Sequence, residues 1–312
     1  MVEDSTATAD LVIADVLDQF ARNFLLNDLT TEKSGKLLEA ARGESVFQVP
    51  RREARRRDTV VGQVHQARVS VRRLRSVLRT FSGLFDAEWS DPILVELSWY
   101  AGVLGEIRDL DVLRTGIVNS LWLIEDEPVQ PQVLKRLDQR IEEARERGAL
   151  ERTTKRYALL VDDIATIGSS VVFDAEAKGP ASEVLKSQLK NAWRDVRRAA
   201  KVARADSSNE HLHKVRIELK RLQCACEVLG LVGGKPAVKL ARAAEKTQTK
   251  LGVVHDQAVA DAWLKSLTVA EPNWKVPLRE IRAFHKEARR EAKRGWRTAI
   301  DEVEHCWDDL QD

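Results

Sequence analysis

Basic side chains recur every three or four residues along residues 64–81, which read VHQARVSVRRLRSVLRTF. The set is His65, Arg68, Arg72, Arg75 and Arg79. At about 3.6 residues per turn, these positions lie on one stripe of an α-helix. The stretch contains no acidic residue, so like charges on adjacent turns repel one another. Because guanidinium groups donate paired hydrogen bonds to phosphate and carboxylate oxygens, the spacing predicts a surface that binds an anion.

Apolar side chains follow the same three-four spacing in the same stretch, offset around the helix. They are Val64, Val71, Leu74, Val77, Leu78 and Phe81. The pattern predicts an amphipathic helix that begins at Asp58 or Thr59 and ends near Gly83. One face of this helix can enter the core of a helix bundle while the neighbouring face presents its cations.

Two motifs occur twice along the chain. Residues 65–74 (HQARVSVRRL) match residues 213–222 (HKVRIELKRL), and residues 104–112 (LGEIRDLDV) match residues 251–259 (LGVVHDQAV). The first match has an offset of 213 − 65 = 148 and the second an offset of 251 − 104 = 147. Two separate motifs with nearly the same offset predict an internal duplication.

Composition favours a helical protein with locally concentrated charge. Of 312 residues, 43% are hydrophobic and 32% are charged, and the net charge is only +2. Residues 51–79 nevertheless contain ten arginines and two acidic residues. We therefore expect an all-α fold of two helical bundles related by an approximate internal two-fold. The expected segments are an N-terminal helix and basic linker over residues 1–57, a first repeat over 58–180 and a second over 181–312.

Capping residues and apolar periodicity predict the other helices. A helix is expected over residues 11–29, a short one over 30–43 and a linker over 45–57. Further helices are expected over 90–105, 109–122, 131–147, 150–167, 181–204, 209–230 and 255–267. Another helix is expected to begin at residue 236, and one long helix is expected over 277–310.

The paired H-x-x-R-x-x-x-[RK]-R-L and L-G-x-x-x-D motifs resemble those of the CHAD family, the conserved histidine α-helical domain. The resemblance extends from about residue 58 to the C-terminus and includes four motif blocks in order. It implies two pseudo-symmetric four-helix bundles, with a basic central surface or pore that binds inorganic polyphosphate. It also implies association with polyphosphate granules.

The resemblance implies that the residues at positions matching the family's motifs bind the ligand. These are His65, Arg68, Arg72, Arg73, Arg75, Arg79, His213, Arg216, Lys220 and Arg221. The second motif departs from the first because Gln223 and Glu227 stand in place of Arg75 and Arg79. Basic stripes on neighbouring helices are expected to compensate for this loss. The basic residues of these neighbouring stripes are Lys190, Arg194, Arg197, Lys201, Lys246 and Lys250.

Two other functions compete with polyphosphate binding. His255 and Asp256 suggest an HD-type metal phosphohydrolase, but the matching position in the first repeat is Arg108, which disfavours a metal site. Nucleic acid attracts the same cations. Single-strand binders add aromatic stacking platforms, whereas the tryptophans of this chain lie on apolar stripes. We therefore rank nucleic acid second and expect no catalytic residue, metal or cofactor.

Cysteine usage and hydropathy predict a cytoplasmic protein. Cys224, Cys226 and Cys306 have no ligand-like spacing, which fits a reducing compartment. The first residues lack the basic and apolar regions of a signal peptide. No apolar run approaches the roughly 18 residues of a membrane span, so we expect no membrane partner and a cytoplasmic location. The family resemblance implies that this location is at polyphosphate granules.

Overall fold

The computed structural model describes residues 7–27, 60–124, 129–232 and 235–311, and these residues are almost entirely helical. Their α-helices are α1 (Ala9–Asn27), α2 (Val60–Thr80), α3 (Ala87–Val118), α4 (Val129–Glu151), α5 (Lys155–Ser170), α6 (Ala181–Ala205), α7 (Asn209–Leu231), α8 (Lys235–Ala270), α9 (Arg279–Arg294) and α10 (Trp296–Gln311). Within the described ranges, extended pairing is limited to isolated bridges, Thr8 with Pro180 and Phe85 with Phe173. The predicted all-α fold class is confirmed.

Most predicted helices are found, but several of the breaks between them are misplaced. α3 and α8 each run unbroken through a motif glycine, Gly105 or Gly252, where the sequence suggested a break. A helical glycine costs only about 1 kcal/mol relative to alanine, which packing along a long helix outweighs. Conversely, the single helix expected over 277–310 is interrupted at Gly295, and the next residue, Trp296, is buried. The helix expected over 30–43 and the linker over 45–57 lie outside the described residues.

The chain divides into two compact units. The first unit comprises Met1–Gly105, Gly148–Trp193 and Arg221–Ala241, and the second comprises Glu106–Arg147, Arg194–Lys220 and Arg242–Asp312. The segment boundaries expected from the repeat, and the internal duplication itself, stay predictions.

The first unit is built around α1, which packs against α2 and α5. Its aromatic core includes Tyr100, whose ring lies 6.2 Å from that of Phe24 and 4.9 Å from that of Tyr157. The close approach of α1 and α5 depends on Gly168. A Cβ atom there would lie 2.6 Å from Cβ and 3.2 Å from Cα of Asp18, so any larger residue would push the two helices apart.

The second unit has its own apolar core, formed by parts of α3, α4, α8 and α9. Fully buried members include Ile117, Val133, Leu137, Leu264 and Ile281. No helix among the described residues is sufficiently long and apolar to span a membrane.

A buried histidine in this core predicts sensitivity to acid. His285 on α9 is 1% exposed and lies between Ser120 Oγ, 3.1 Å from its Nε2 atom, and Gln257 Oε1 at its Nδ1 atom. Burial lowers the pKa of His285, and the charge of Asp261 offsets this only in part. The folded state therefore holds a neutral imidazole, whereas the unfolded chain takes up a proton near its ordinary pKa of about 6.5.

We expect the free energy of unfolding to fall as the pH decreases from 7 to 5, because protonation favours the unfolded chain. In His285→Gln this pH dependence should shrink, whatever the stability at pH 7. Urea denaturation at several pH values measures the slope. His305, whose side chain is 78% exposed, offers the matched control His305→Gln, which should keep the wild-type slope. An unchanged slope in His285→Gln would contradict the assignment.

Candidate functional site

Helix α2 places its apolar stripe in the core of the first unit, as predicted. Val71, Leu74, Val77, Leu78 and Phe81 are each at most 1% exposed. The side chains of Val64 and His65 lie outside the described residues. The buried stripe fixes the rotation of the helix, so the adjacent arginine stripe has a defined direction.

The α2 arginine column consists of Arg68, Arg72, Arg75 and Arg79. Arg72 and Arg79 are exposed, and Arg68 and Arg75 are half-buried. Arg79 Nη2 lies 3.4 Å from Ser98 Oγ, a long hydrogen bond. Burial lowers the pKa of Arg75, and the positive charges of Arg79 and Arg72 lower it further. Arg72, Arg75 and Arg79 are therefore close enough to repel one another.

Arg73 lies outside this column and has a local partner. Its guanidinium group forms an ion pair with Glu227 on α7 and lies 5.6 Å from the ring centroid of Phe20 on α1. Glu227 also accepts a 2.9 Å hydrogen bond from Gln223 Nε2. The predicted binding residue Arg73 thus links α2 to two neighbouring helices. The two residues that depart from the repeat, Gln223 and Glu227, are the ones that hold this link.

Two more predicted residues belong to the first unit. Lys190 is exposed on α6, and Arg221 is half-buried on α7.

Two histidines meet in the second unit. The rings of His213 on α7 and His255 on α8 are 5.6 Å apart, and both side chains are exposed. Desolvation lowers the pKa of His213, and the charges of His255, Lys220 and Arg216 lower it further. His213 therefore lies among cations, as an anion-binding histidine should.

Arg216 lies against helix α8. Its Nε atom is 3.4 Å from the backbone carbonyl oxygen of Gln248, a long hydrogen bond. A Cβ atom at Gly252 would lie 3.6 Å from Arg216 Nη2, an ordinary van der Waals distance. The guanidinium group therefore lies beside the glycine of the second L-G-x-x-x-D motif.

The aspartates of the two L-G-x-x-x-D motifs lie within electrostatic range of each other. Asp256 on α8 is accessible to solvent, but surrounding protein atoms desolvate its carboxylate and raise its pKa. Asp109 on α3 raises the pKa of Asp256 further, whereas His255, Arg216 and Arg108 lower it. We call this group the His213 cluster. It consists of His213, Arg216, Lys220, His255, Asp256, Arg108 and Asp109.

The remaining predicted cations of the second unit lie on α6 and α8. Arg194, Arg197 and Lys201 are exposed on α6. Lys250 is half-buried, and Lys246 pairs with Glu302, with Nζ–O distances of 3.0 and 3.1 Å. Lys246, like Arg73, therefore already has a carboxylate partner. Whether each predicted residue binds a ligand stays a prediction.

Comparison with known proteins agrees with the sequence motifs. Residues 44–265 match the model of the CHAD domain, which is well over half of the chain. The chain belongs to the CHAD domain family.

Sequence relatives of this CHAD protein include proteins from two strains of Mycobacterium tuberculosis, each described as uncharacterized. Both are 28% identical over 218 residues, which cover 66% of this chain and 40% of each relative. The match thus spans less than half the length of these curated relatives.

Solved structures agree on the CHAD fold. PptA from Streptomyces chartreusis matches with a TM-score of 0.65 and 17% identity, over 95% of this chain and 100% of that one. The CHAD domain from the plant Ricinus communis matches with a TM-score of 0.61 and 20% identity, over 99% of this chain and 93% of that one. At these identities the likeness shows the fold alone.

The structure adds one basic helix that sequence reasoning overlooked in this CHAD protein. Lys286, Arg289 and Lys293 follow three-four spacing on α9, so the signal was present in the sequence. Lys293 Nζ donates to the backbone carbonyl of Ser207, 2.9 Å away, just beyond the end of α6. A cation near a helix C-terminus stabilises the helix dipole, which gives Lys293 a structural role.

The arrangement around His255 does not resemble a metal centre. Across the part of the chain that the structure describes, no three His, Cys, Asp or Glu residues are grouped so that they could hold a metal ion. The cysteines are buried, and burial raises the pKa of Cys224 to about 12. The absence of a catalytic metal stays a prediction.

Proposed function

We propose that this CHAD protein binds inorganic polyphosphate through its exposed cationic helix faces and does not catalyse its turnover. The observation that carries the proposal is the α2 arginine column, in which Arg75 lies beside the like charges of Arg72 and Arg79. A polyanion that lies along the helix can contact these cations on successive turns and offset the repulsion among them.

Arginine suits this ligand chemically. Its planar guanidinium group stays charged and donates two parallel hydrogen bonds to phosphate oxygens. In an extended chain, phosphate groups repeat at short intervals, so one ligand can contact successive turns of α2. Each contact releases counterions from the polyanion, and the affinity should therefore fall steeply with salt.

The distribution of aromatic residues favours inorganic polyphosphate over nucleic acid. Single-stranded nucleic acid gains about 1–3 kcal/mol from each base stacked on an aromatic side chain. Trp193, Trp263, Trp274 and Trp296 are buried and unavailable for stacking. In the first unit Trp89 and Trp99 are half-buried, and the Arg156 guanidinium group covers the Trp99 ring, 4.1 Å from its centroid. Trp122 in the second unit is 73% exposed. With most of these rings buried or covered, a ligand with phosphates and no bases is favoured.

A competition assay tests the proposal. Labelled long-chain polyphosphate is displaced with single-stranded DNA, RNA or pyrophosphate at physiological salt, and the measurement is repeated across a salt series. We expect unlabelled polyphosphate to compete best, and log Kd to rise with log salt by about 0.7 for each phosphate contact, as for single strands. Stronger competition by DNA or RNA would make nucleic acid the ligand.

Two further measurements test the absence of turnover and the cellular location. Incubating polyphosphate with the protein and Mg²⁺ or Mn²⁺ should release no phosphate above background. A fluorescent fusion should coincide with polyphosphate granules in the cytoplasm, and a diffuse signal in granule-containing cells would argue against granule association.

A further inference from the structure

We infer that the His213 cluster binds the terminal phosphate of a phosphate chain, with the Asp256 carboxylate accepting a hydrogen bond from a protonated phosphate oxygen. The inference rests on the proposed function and specifies one site within it. It assigns binding roles to His255 and Arg108 beside His213 and Arg216, and a selective role to Asp256.

The inference starts from the mixture of charges in the cluster. Residues 64–81, which carry the α2 arginine column, include no acid, whereas the His213 cluster contains two aspartates among its cations. A carboxylate repels every fully ionised phosphate, so its presence weakens the binding of internal phosphate units. It strengthens binding only where the ligand brings a proton of its own.

Chain ends and chain interiors differ in this respect. An internal phosphate unit has a single, strongly acidic ionisation and carries no proton near neutral pH. A terminal phosphate has a second ionisation, which for phosphate monoesters has a pKa of about 6. Near that pH it presents a P–OH donor, and an O–H···O⁻ hydrogen bond to a carboxylate is short and strong.

The cluster is accessible. Asp256, His255, His213 and Arg108 are all exposed to solvent. Arg216 lies beside α8, with its Nε atom 3.4 Å from the Gln248 carbonyl oxygen. The cluster can therefore offer positive charge to the ionised phosphate oxygens and a carboxylate to the protonated one.

Lower pH should strengthen this recognition, because terminal phosphates become protonated as the pH falls from 8 to 6 and can then donate to the Asp256 carboxylate. The charged groups that face His213 are His255 on α8 and Arg216 and Lys220 on α7. The groups that face Asp256 are His255, Arg216, and Arg108 and Asp109 on α3. Desolvation and the neighbouring cations lower the pKa of His213, so protonation of the ligand, rather than of this ring, is the expected source of the pH dependence.

Comparing linear with cyclic phosphates distinguishes binding of chain ends from binding of internal phosphate units. Linear tripolyphosphate has two ends, and cyclic trimetaphosphate has none. Calorimetric titration at pH 6 and pH 8 should show preference for the linear ligand, with a larger preference at pH 6. In Asp256→Asn the linear-to-cyclic preference at pH 6 should fall about tenfold, the effect of losing one charge-assisted hydrogen bond.

Glu245→Gln is the matched control, because Glu245 is exposed on α8 in the same unit and its replacement removes the same charge. It should leave the linear-to-cyclic preference unchanged. Orthophosphate forms a third arm: if it binds as tightly as tripolyphosphate, the site takes free phosphate and the chain-end assignment is wrong.

The outcomes separate this inference from the proposed function. If both ligands bind and Asp256→Asn leaves their ratio unchanged, the inference fails and the proposed function stands. If wild-type protein binds neither these ligands nor long-chain polyphosphate, both fail. The pH dependence of the wild-type ratio needs no variant, so the test remains decisive if Asp256→Asn does not fold.

Discussion

Replacing Arg75 and Arg79 together by glutamine is expected to weaken polyphosphate binding about a hundredfold, at about 1.5 kcal/mol or roughly tenfold for each charged hydrogen bond removed. The slope of log Kd against log salt should decrease by about 1.4, because two phosphate contacts disappear at about 0.7 each. Filter binding or fluorescence anisotropy with labelled polyphosphate across a salt series measures both quantities.

The same double variant should be at least as stable as wild type. Arg75 lies beside the like charges of Arg72 and Arg79, so removing two of these charges reduces the repulsion among them. The substitution also removes the hydrogen bond from Arg79 to Ser98 Oγ, which at 3.4 Å is long and contributes little. Opposite effects on stability and on binding are typical of residues retained for function rather than for folding.

Arg290→Gln with Arg294→Gln is the control for total charge. These arginines on α9 face Glu287 at 3.1 and 3.8 Å, and their removal also subtracts two positive charges. The control should reduce affinity much less than the α2 variant does. Equal losses in the two variants would mean that overall charge, rather than the α2 arginine column, governs binding. Unfolding of the α2 variant would mean that its arginines are structural.

Periodicity predicts α2 well because one physical cause controls both of its faces. Burial of Leu74 and Leu78 fixes the rotation of the helix, and the direction of Arg72 and Arg79 follows from geometry. The same argument cannot identify tertiary partners. Arg73 follows Arg72 directly in the sequence, yet it forms an ion pair with Glu227, 154 residues away. A basic pair in a motif therefore contains two residues with different surroundings.

The sequence match between Asp109 and Asp256 predicts that they occupy equivalent positions in the two repeats. It does not predict the distance between them in the fold. The structure places the two carboxylates close enough to influence each other, with Arg216 from a different motif nearby. Such convergence depends on how α3, α7 and α8 pack. Local pattern cannot supply this information, because the packing is decided by contacts far apart in the chain. Without knowledge of the packing, the neighbouring residues His255 and Asp256 resemble a weak metal-binding motif.

Glycine alone does not predict a helix end. The helix expected to end at Gly105 continues through it, and Gly252 also lies inside a long helix, because packing along a long helix outweighs the cost of about 1 kcal/mol for a helical glycine. Gly295, which carried no such expectation, is where the chain leaves α9 and turns into α10.

Glu227→Arg would make the second motif more like the first, and we expect it to destabilise the protein by about 2 kcal/mol. The substitution replaces an ion pair with two like charges at half-buried positions, and it removes the acceptor of the Gln223 hydrogen bond. Breaking a fully buried pair costs about 3–5 kcal/mol, and partial exposure reduces this figure. Chemical denaturation followed by circular dichroism measures the loss.

The charge-swapped double variant Arg73→Glu with Glu227→Arg tests the cause. It restores an attractive pair at the same two positions, so it should recover at least half of the stability that Glu227→Arg removes. Arg73→Glu alone should be destabilised like Glu227→Arg alone, and the non-additivity of the cycle isolates the interaction between the two side chains. Additive losses would show that the pair contributes nothing, and Arg73 would then be available to bind phosphate as its motif position implies.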